Sequence, residues 1–290
     1  MSIDLYETPH DQAGRPIREA HHRFIQFPGG EAHLPAAGAS DWPIQVAYLR
    51  GASGDDLMKL AMWADAMRRV GHKRIALIPY LPGARQDRGI PLGAKVYADF
   101  LNSLGLEQII CFDPHSDVMP ALINNLTVVG LNNLSSEFWH SLAYSLDPYD
   151  EPFAGVICPD VGARKRAELV ANQLDVPVYQ AMKHRDFVTG KLSGFTCEPL
   201  PEGVSFLVVD DICDGGGTFL GLAEAINVPR EQLALWVSHG IFSAGFEKLS
   251  ANYGAIHTTD SHPGSDSHTY PALVKSLFGT LINHITLQES

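Results

Sequence analysis

The sequence predicts an α/β protein, built of mainly parallel sheet flanked by helices. Three observations carry that reading. Short apolar runs alternate with stretches of helical periodicity along most of the chain. The runs are continuously apolar rather than alternating, as strands covered on both faces require. Apolar residues make up 45% of the 290, enough for a substantial core, and this length suggests two domains or one large one.

The elements follow in order. Residues 44–50 (IQVAYLR) read as a buried strand. Ser53-Gly-Asp-Asp56 has capping-box spacing with Ser53 as the N-cap. Leu57, Leu60, Ala61, Ala64 and Met67 then share one helical face, and Gly71 closes the helix. Strands are expected over 74–80 and 107–113, with a helix over 93–104 between them. The pattern then repeats. Strands are expected over 154–158, 176–181, 204–210 and 233–239, with helices over 163–174, from the glycines near 215 to Ile226, and over 270–285. The polar segment 140–152 holds Pro148 and Pro152 and is the expected linker. It divides the chain into domains 1–145 and 146–269, with a C-terminal helical segment 270–290 expected to pack back on the first. Ile78-Pro-Tyr80 leading to Gly83-Ala-Arg85 echoes Cys158-Pro-Asp160 leading to Gly162-Ala-Arg164.

Charge and composition exclude other classes. The 21 Lys and Arg against 33 Asp and Glu leave a formal net charge of -12. A protein gripping duplex nucleic acid by its backbone is usually basic, so no nucleic-acid partner is expected. Cys111, Cys158, Cys197 and Cys213 stand singly, with no Cys-x-x-Cys pair for zinc or redox work. They fit reduced structural thiols. Residues 1–14 lack an apolar signal core, and no stretch reaches the ~20 apolar residues that span a bilayer. The expected location is cytoplasmic, away from membranes. A phosphate-handling chain this acidic must draw positive charge from a few placed residues, a metal or backbone dipoles.

The most informative segment is Leu207-Val-Val-Asp210-Asp211-Ile-Cys-Asp214-Gly215-Gly216-Gly217-Thr218. An apolar strand runs into carboxylates, then three glycines, a threonine and a helix. Glycines let successive amides turn toward one point, and the helix start adds partial positive charge. The result is a nest for phosphate, with Thr218 as a further donor. The segment has neither the lysine of a P-loop nor the spacing of a dinucleotide fingerprint.

This segment resembles the phosphoribosyl-diphosphate loop of the type I phosphoribosyltransferases. Other motifs narrow the resemblance to the ribose-phosphate diphosphokinase (PRPP synthetase) family. They are Phe27-Pro-Gly-Gly-Glu31, Pro79-Tyr-Leu-Pro-Gly-Ala-Arg85-Gln86-Asp87-Arg88, Asp113-Pro-His115-Ser, Pro159-Asp160-Val-Gly-Ala, Lys183-His-Arg185 and Ser238-His-Gly-Ile-Phe-Ser. The matches are collinear from about residue 27 to the C-terminal helix. The resemblance implies two tandem type I phosphoribosyltransferase-like domains.

The resemblance also implies an ATP-dependent diphosphotransferase. Diphosphate passes from ATP to the anomeric hydroxyl of ribose 5-phosphate, and AMP leaves. Phe27, Glu31, Arg85, Gln86, Asp87 and His115 would bind ATP, Phe27 and Glu31 from a neighbouring subunit. Asp160, Asp210, Asp211, Asp214, Gly215, Gly216, Gly217 and Thr218 would bind the ribose phosphate. Lys183 and Arg185, expected in a mobile polar stretch before Gly190, would be catalytic. The implied cofactor is Mg2+, with His115 and Asp160 as ligands, and the implied assembly is a homo-oligomer, a dimer or larger. His257, His262 and His268 read as structural or rim residues in a polar loop, and Arg164, Lys165 and Arg166 as mainly solvent-facing.

The chain also departs from the family. Its N-terminus before Phe27 is short and polar where the family has a strand and helix. Gly29 replaces an aspartate. Gly89-Ile-Pro-Leu-Gly93 replaces a basic insertion that contributes to allosteric control, so altered regulation is expected. Gly215 replaces a hydroxyl-bearing residue and opens space beside the 5-phosphate. That raises a second acceptor, ADP-ribose, giving a 1-pyrophosphate in NAD salvage. A phosphoribosyltransferase or a non-catalytic regulatory homologue are the competing classes. The first does not need the Ala-Arg-Gln-Asp-Arg motif, and the second would not need Lys183, Arg185, His115 and the paired aspartates.

Overall fold

A computed structural model describes residues 2–9, 17–35, 40, 42–146, 151–185, 192–267 and 272–286. The chain divides into two units. The first takes residues 1–130, 261–263 and 276–290, and the second takes 131–260 and 264–275.

The first unit contains β1 (Ile3–Thr8), β2 (Arg18–Glu19), β3 (Ile25–Gln26), β4 (Ala32–His33), β5 (Ile44–Leu49), α1 (Gly54–Arg69), β6 (Lys73–Leu77), α2 (Gly93–Ser103), β7 (Gln108–Phe112) and β8 (Leu126–Val129). Its six-stranded sheet runs β2-β1-β5-β6-β7-β8. β5 to β8 are parallel, while β1 is antiparallel to both β2 and β5. β3 and β4 form a separate hairpin. The predicted capping box is present: Ser53 Oγ accepts from the Asp56 amide, and the Asp56 carboxylate accepts from the Ser53 amide. Leu60, Trp63, Ala64 and Met67 of α1 are buried with Leu49, Ala76 and Ile109 of the sheet. Each large side chain so buried stabilises the fold by about 2 kcal/mol.

The second unit contains α3 (Ser136–Ala143), β9 (Gly155–Cys158), α4 (Arg164–Leu174), β10 (Val178–Arg185), β11 (Leu192–Cys197), β12 (Phe206–Cys213), α5 (Gly217–Ile226), β13 (Leu233–Gly240), α6 (Glu247–Asn252), β14 (Ala255–Thr259) and β15 (Ala272–Lys275). The seven-stranded sheet runs β11-β10-β9-β12-β13-β14-β15. Only β11, at one edge, is antiparallel. From β9 the chain steps outward to β10, then returns to place β12 on the other side of β9. That reversal is a topological switch point, where open parallel sheets bind ligands beyond the strand ends. Residues 159–163 and 210–218 flank it.

Several expectations change. The structural division falls after Gly130 rather than near 145. The reason is aromatic packing: Phe138 and Trp139 of α3 stand 5.3 and 6.1 Å from the Trp236 ring of β13. The polar N-terminus holds strand β1, whose Ile3 and Leu5 are buried and which pairs with the whole of β5. The final helix shortens to α7 (Phe278–Ile282) in the first unit, because residues 272–275 add β15 to the second sheet. Phe278 anchors α7, 4.5 Å from the Tyr6 ring and 5.4 Å from that of Tyr48. The stretch around His257 is a buried strand, β14, instead of a polar loop.

Candidate active site

The residues expected on the acceptor side gather at the switch point of the second unit. β12 delivers Asp210 and Asp211 near its C-terminal end, then Cys213, Asp214 and the glycines. Gly216 is the N-cap of α5 at φ +78, a conformation that favours glycine. A Cβ there would also press on Leu249 at 3.2 Å. A Cβ at Gly215 would meet nothing within 4 Å. Thr218 lies in the first turn of α5, and its hydroxyl oxygen accepts from Lys183 Nζ at 2.6 Å.

Lys183 and Arg185 are placed differently from the sequence expectation. Both lie on β10, in an antiparallel hairpin with β11 that pairs Lys183 with Phe195. The sequence reading ended this strand at 181 and missed β11, because Lys-His-Arg looks like solvated loop. Paired strands hold Lys183 toward Thr218. Gly190 and His268 lie outside the described residues.

Asp160 follows β9 and caps the turn leading into α4. Its Oδ1 accepts from the amides of Gly162 at 2.9 Å and Ala163 at 3.2 Å. One oxygen is thus engaged in local structure. Removal from water and the neighbouring Asp211 charge push the Asp210 carboxyl well above the ordinary aspartate value. Its Oδ1 also accepts from the Asp211 amide at 2.8 Å. Such a group seeks a hydroxyl partner or a cation. Burial holds the Cys158 and Cys213 thiols at about 11 and about 12, so both stay protonated and inert.

The first unit holds the expected nucleotide residues. Phe27 and Glu31 bound the β3–β4 turn, where the Phe27 amide donates to the Glu31 carbonyl at 2.8 Å. The Phe27 ring is 48% exposed and stacks on His33 at 5.3 Å. It is an apolar plate open to solvent. Arg85, Gln86 and Asp87 follow the turn after β6. The Gln86 amide donates to Gly83 at 2.9 Å, and the Ala94 amide donates back to the Gln86 carbonyl at 3.0 Å. Arg85 and Gln86 are exposed, and so is His115, which follows Asp113, a residue at φ +36 after β7.

Among the described residues, no three His, Cys, Asp or Glu side chains form a metal-holding group. His115 belongs to the first unit and Asp160 to the second. His257 is buried and accepts from or donates to Ser145 Oγ at 2.8 Å, and His262 stands edge-on to Tyr80. A groove of about 640 Å³ between residues 197–204 and 225–232 lies by the start of β12, away from Asp210. Sequence reasoning missed one residue of the site. Ser243 Oγ donates to Asp214 Oδ1 at 2.5 Å. It sits in the quoted Ser238–Ser243 motif, and the strand-to-loop break at Gly240 was the available signal.

Similarity to known proteins gives the family and the fold. Residues 44–105 match the family model for the N-terminal domain of ribose phosphate pyrophosphokinase, and residues 144–228 match that for the phosphoribosyl transferase domain. The chain is 31% identical over 260 residues to a ribose-phosphate pyrophosphokinase of Agrobacterium fabrum, covering 80% of this chain and 79% of that one. It is 32% identical over 203 residues to one from Cereibacter sphaeroides, covering 66% of this chain and 57% of that one. It is 30% identical over 231 residues to one from Pasteurella multocida, covering 73% and 68%. The fold matches a crystal structure of phosphoribosylpyrophosphate synthetase from Mycobacterium smegmatis at a TM-score of 0.75 and 22% identity, over 92% of this chain and 90% of that one. No described helix is long and apolar enough to cross a membrane. With two family models in order and a relative aligned over most of both lengths, the chain belongs to the ribose-phosphate pyrophosphokinase family.

Proposed function

We propose that the protein transfers diphosphate from ATP to the anomeric hydroxyl of ribose 5-phosphate, releasing AMP. One observation carries the reading. A lysine on β10 meets the hydroxyl of a glycine-rich phosphate turn beside two carboxylates at the switch point. In this family setting, the amides of residues 214–218 and the Thr218 hydroxyl hold the 5-phosphate. Asp210 and Asp211 accept hydrogen bonds from the ribose hydroxyls, which removes the strain on the Asp210 carboxyl. Lys183 moves from Thr218 to the transferring diphosphate, and Arg185 follows on the same strand. Arg85, Gln86 and Asp87 orient ATP, while Phe27 and Glu31 hold adenine bound to a neighbouring subunit of a homo-oligomer.

The donors fit magnesium. Asp160, Asp210 and Asp211 offer hard carboxylate oxygens, and a cation is what the raised Asp210 carboxyl lacks. Magnesium commonly takes one or two carboxylates plus substrate phosphates, so a closed three-residue cage is not needed. Asp160 would hold one ion on the ribose side and His115 another on the ATP phosphates, and each when bound would neutralise phosphate charge.

A second reading has its own observation. The open space at Gly215 leaves room for a larger 5-substituent, so ADP-ribose would undergo the same transfer. AMP release measured with ATP, Mg2+ and each acceptor side by side tests both. Faster release with ribose 5-phosphate is expected. Faster release with ADP-ribose selects the second reading, and no release with any acceptor overturns both.

A further inference from the structure

The phosphate turn is held from the neighbouring strand. Beyond the end of β13, the amides of Ile241 and Phe242 both donate to the Cys213 carbonyl, at 2.9 and 3.1 Å. The Ser243 amide donates to the Asp214 carbonyl at 3.1 Å. In a planar trans peptide the C=O and the following N–H point in opposite directions. Drawing the Cys213 and Asp214 carbonyls toward residues 241–243 therefore aims the Asp214 and Gly215 amides away from that loop. Those amides open the glycine turn, so the loop sets the direction of the first two donors of the phosphate seat.

The loop is built to hold this shape. Phe242 sits at φ +50, unusual for a bulky residue and costly unless its surroundings fix it. Its ring packs T-shaped on Phe246 at 4.9 Å. A Cβ at Gly240 would overlap the Phe242 ring, and one at Gly264 would overlap the Ile241 carbonyl. Within this frame Ser243 contributes its side chain to the turn, and its hydroxyl holds one oxygen of the Asp214 carboxylate.

We propose that Ser243 is a positioning residue for the acceptor's phosphate, acting through Asp214. A carboxylate beside a phosphate seat repels the ligand if it swings inward. The Ser243 hydroxyl binds the carboxylate and keeps it turned toward the β13 loop. The inference rests on the acceptor reading above, in which residues 214–218 take a phosphate.

Calorimetric binding tests it on the full-length protein, with inorganic phosphate, ribose 5-phosphate and ATP titrated separately. Ser243→Ala is expected to weaken phosphate and ribose 5-phosphate about tenfold, because it removes a hydrogen bond to a charged group. ATP binding should stay within about twofold, and Ser243→Thr, which restores the hydroxyl, should recover most of the loss. In turnover, the loss should fall on the acceptor KM rather than on kcat. Unchanged phosphate binding in Ser243→Ala overturns the proposal. So does equal weakening of ATP, which would mark a general folding defect. A wild-type protein that binds ATP but neither phosphate nor ribose 5-phosphate overturns the acceptor reading itself, a failure distinct from one confined to the Ser243 variant.

Discussion

Lys183 Nζ lies 2.6 Å from Thr218 Oγ1, so a cation carried by β10, next to the edge strand of the second sheet, is seated on the glycine turn that follows β12. The turn needs no lysine of its own. The charge comes across from β10 and is available for transfer to a more negative partner.

If Lys183 engages the diphosphate only as it transfers, Lys183→Ala should lower kcat about 100-fold or more, as removal of a preorganised transition-state donor does. The KM for ATP should change little. Steady-state kinetics with ATP varied at saturating acceptor checks this. Unchanged turnover would remove Lys183 from the catalytic set.

Asp160 caps a turn and, on the proposed reading, also holds the acceptor or magnesium by its charge. Asparagine is also a good N-cap, so Asp160→Asn should keep the bonds to the Gly162 and Ala163 amides and hold its melting temperature. It loses the charge, and AMP release should fall sharply. Asp160→Ala should lose the cap as well and be less stable by about 1 kcal/mol. Thermal melts run beside the turnover assay separate the two. An Asn variant with full activity would show that the charge is unused.

His257 predicts an acid limb to stability. Burial lowers it from the ordinary 6.5 to about 4. Between those values the unfolded chain binds more protons. Stability fully present above pH 6.5 is therefore lost as pH falls toward 4. The shift corresponds to about 3 kcal/mol. His257→Gln retains a partner for Ser145 without titrating, and its denaturation midpoint should vary less over that range. An equally steep variant profile would assign the acid limb to other groups.

Regulation by ADP should be weak. Gly89 at φ +85 and a fully exposed Ile90 occupy the stretch after Arg88, and no cation follows until Lys95. ADP titrations at several fixed ATP concentrations should give inhibition that ATP relieves. Strong inhibition unaffected by ATP would contradict this.

The parallel core was legible in the sequence because its strands are continuous apolar runs. β5, β6, β7, β9, β12 and β13 all lie within or close to the predicted runs. So was the start of α1, since the Ser53–Asp56 box is local chemistry. What escaped depends on tertiary partners. β1 buries a glutamate, Glu7, only because Arg18, Ser40 and Gln45 reach it. β14 buries His257 and two threonines beside strands that follow no local period. The expected strand stopped at 181, short of the end of β10, and β11 was missed, because Lys183-His-Arg185 looks like solvated loop. The phosphate turn was visible as composition, whereas the bracing by Ser243 joins residues 29 apart in sequence and leaves no local mark.

The main-chain amides of Ile241, Phe242 and Ser243 each donate a hydrogen bond to the turn. Amides are indifferent to the side chains they carry. Ile241, whose part in the bracing is its amide, should therefore tolerate substitution far better than the segment tolerates insertion or deletion. One added residue after Gly240 would redirect the Asp214 and Gly215 amides as surely as a change within the glycines themselves. Spacing between Gly240 and Ser243, together with the identity of those two end residues, is the inherited quantity to follow among relatives of this chain.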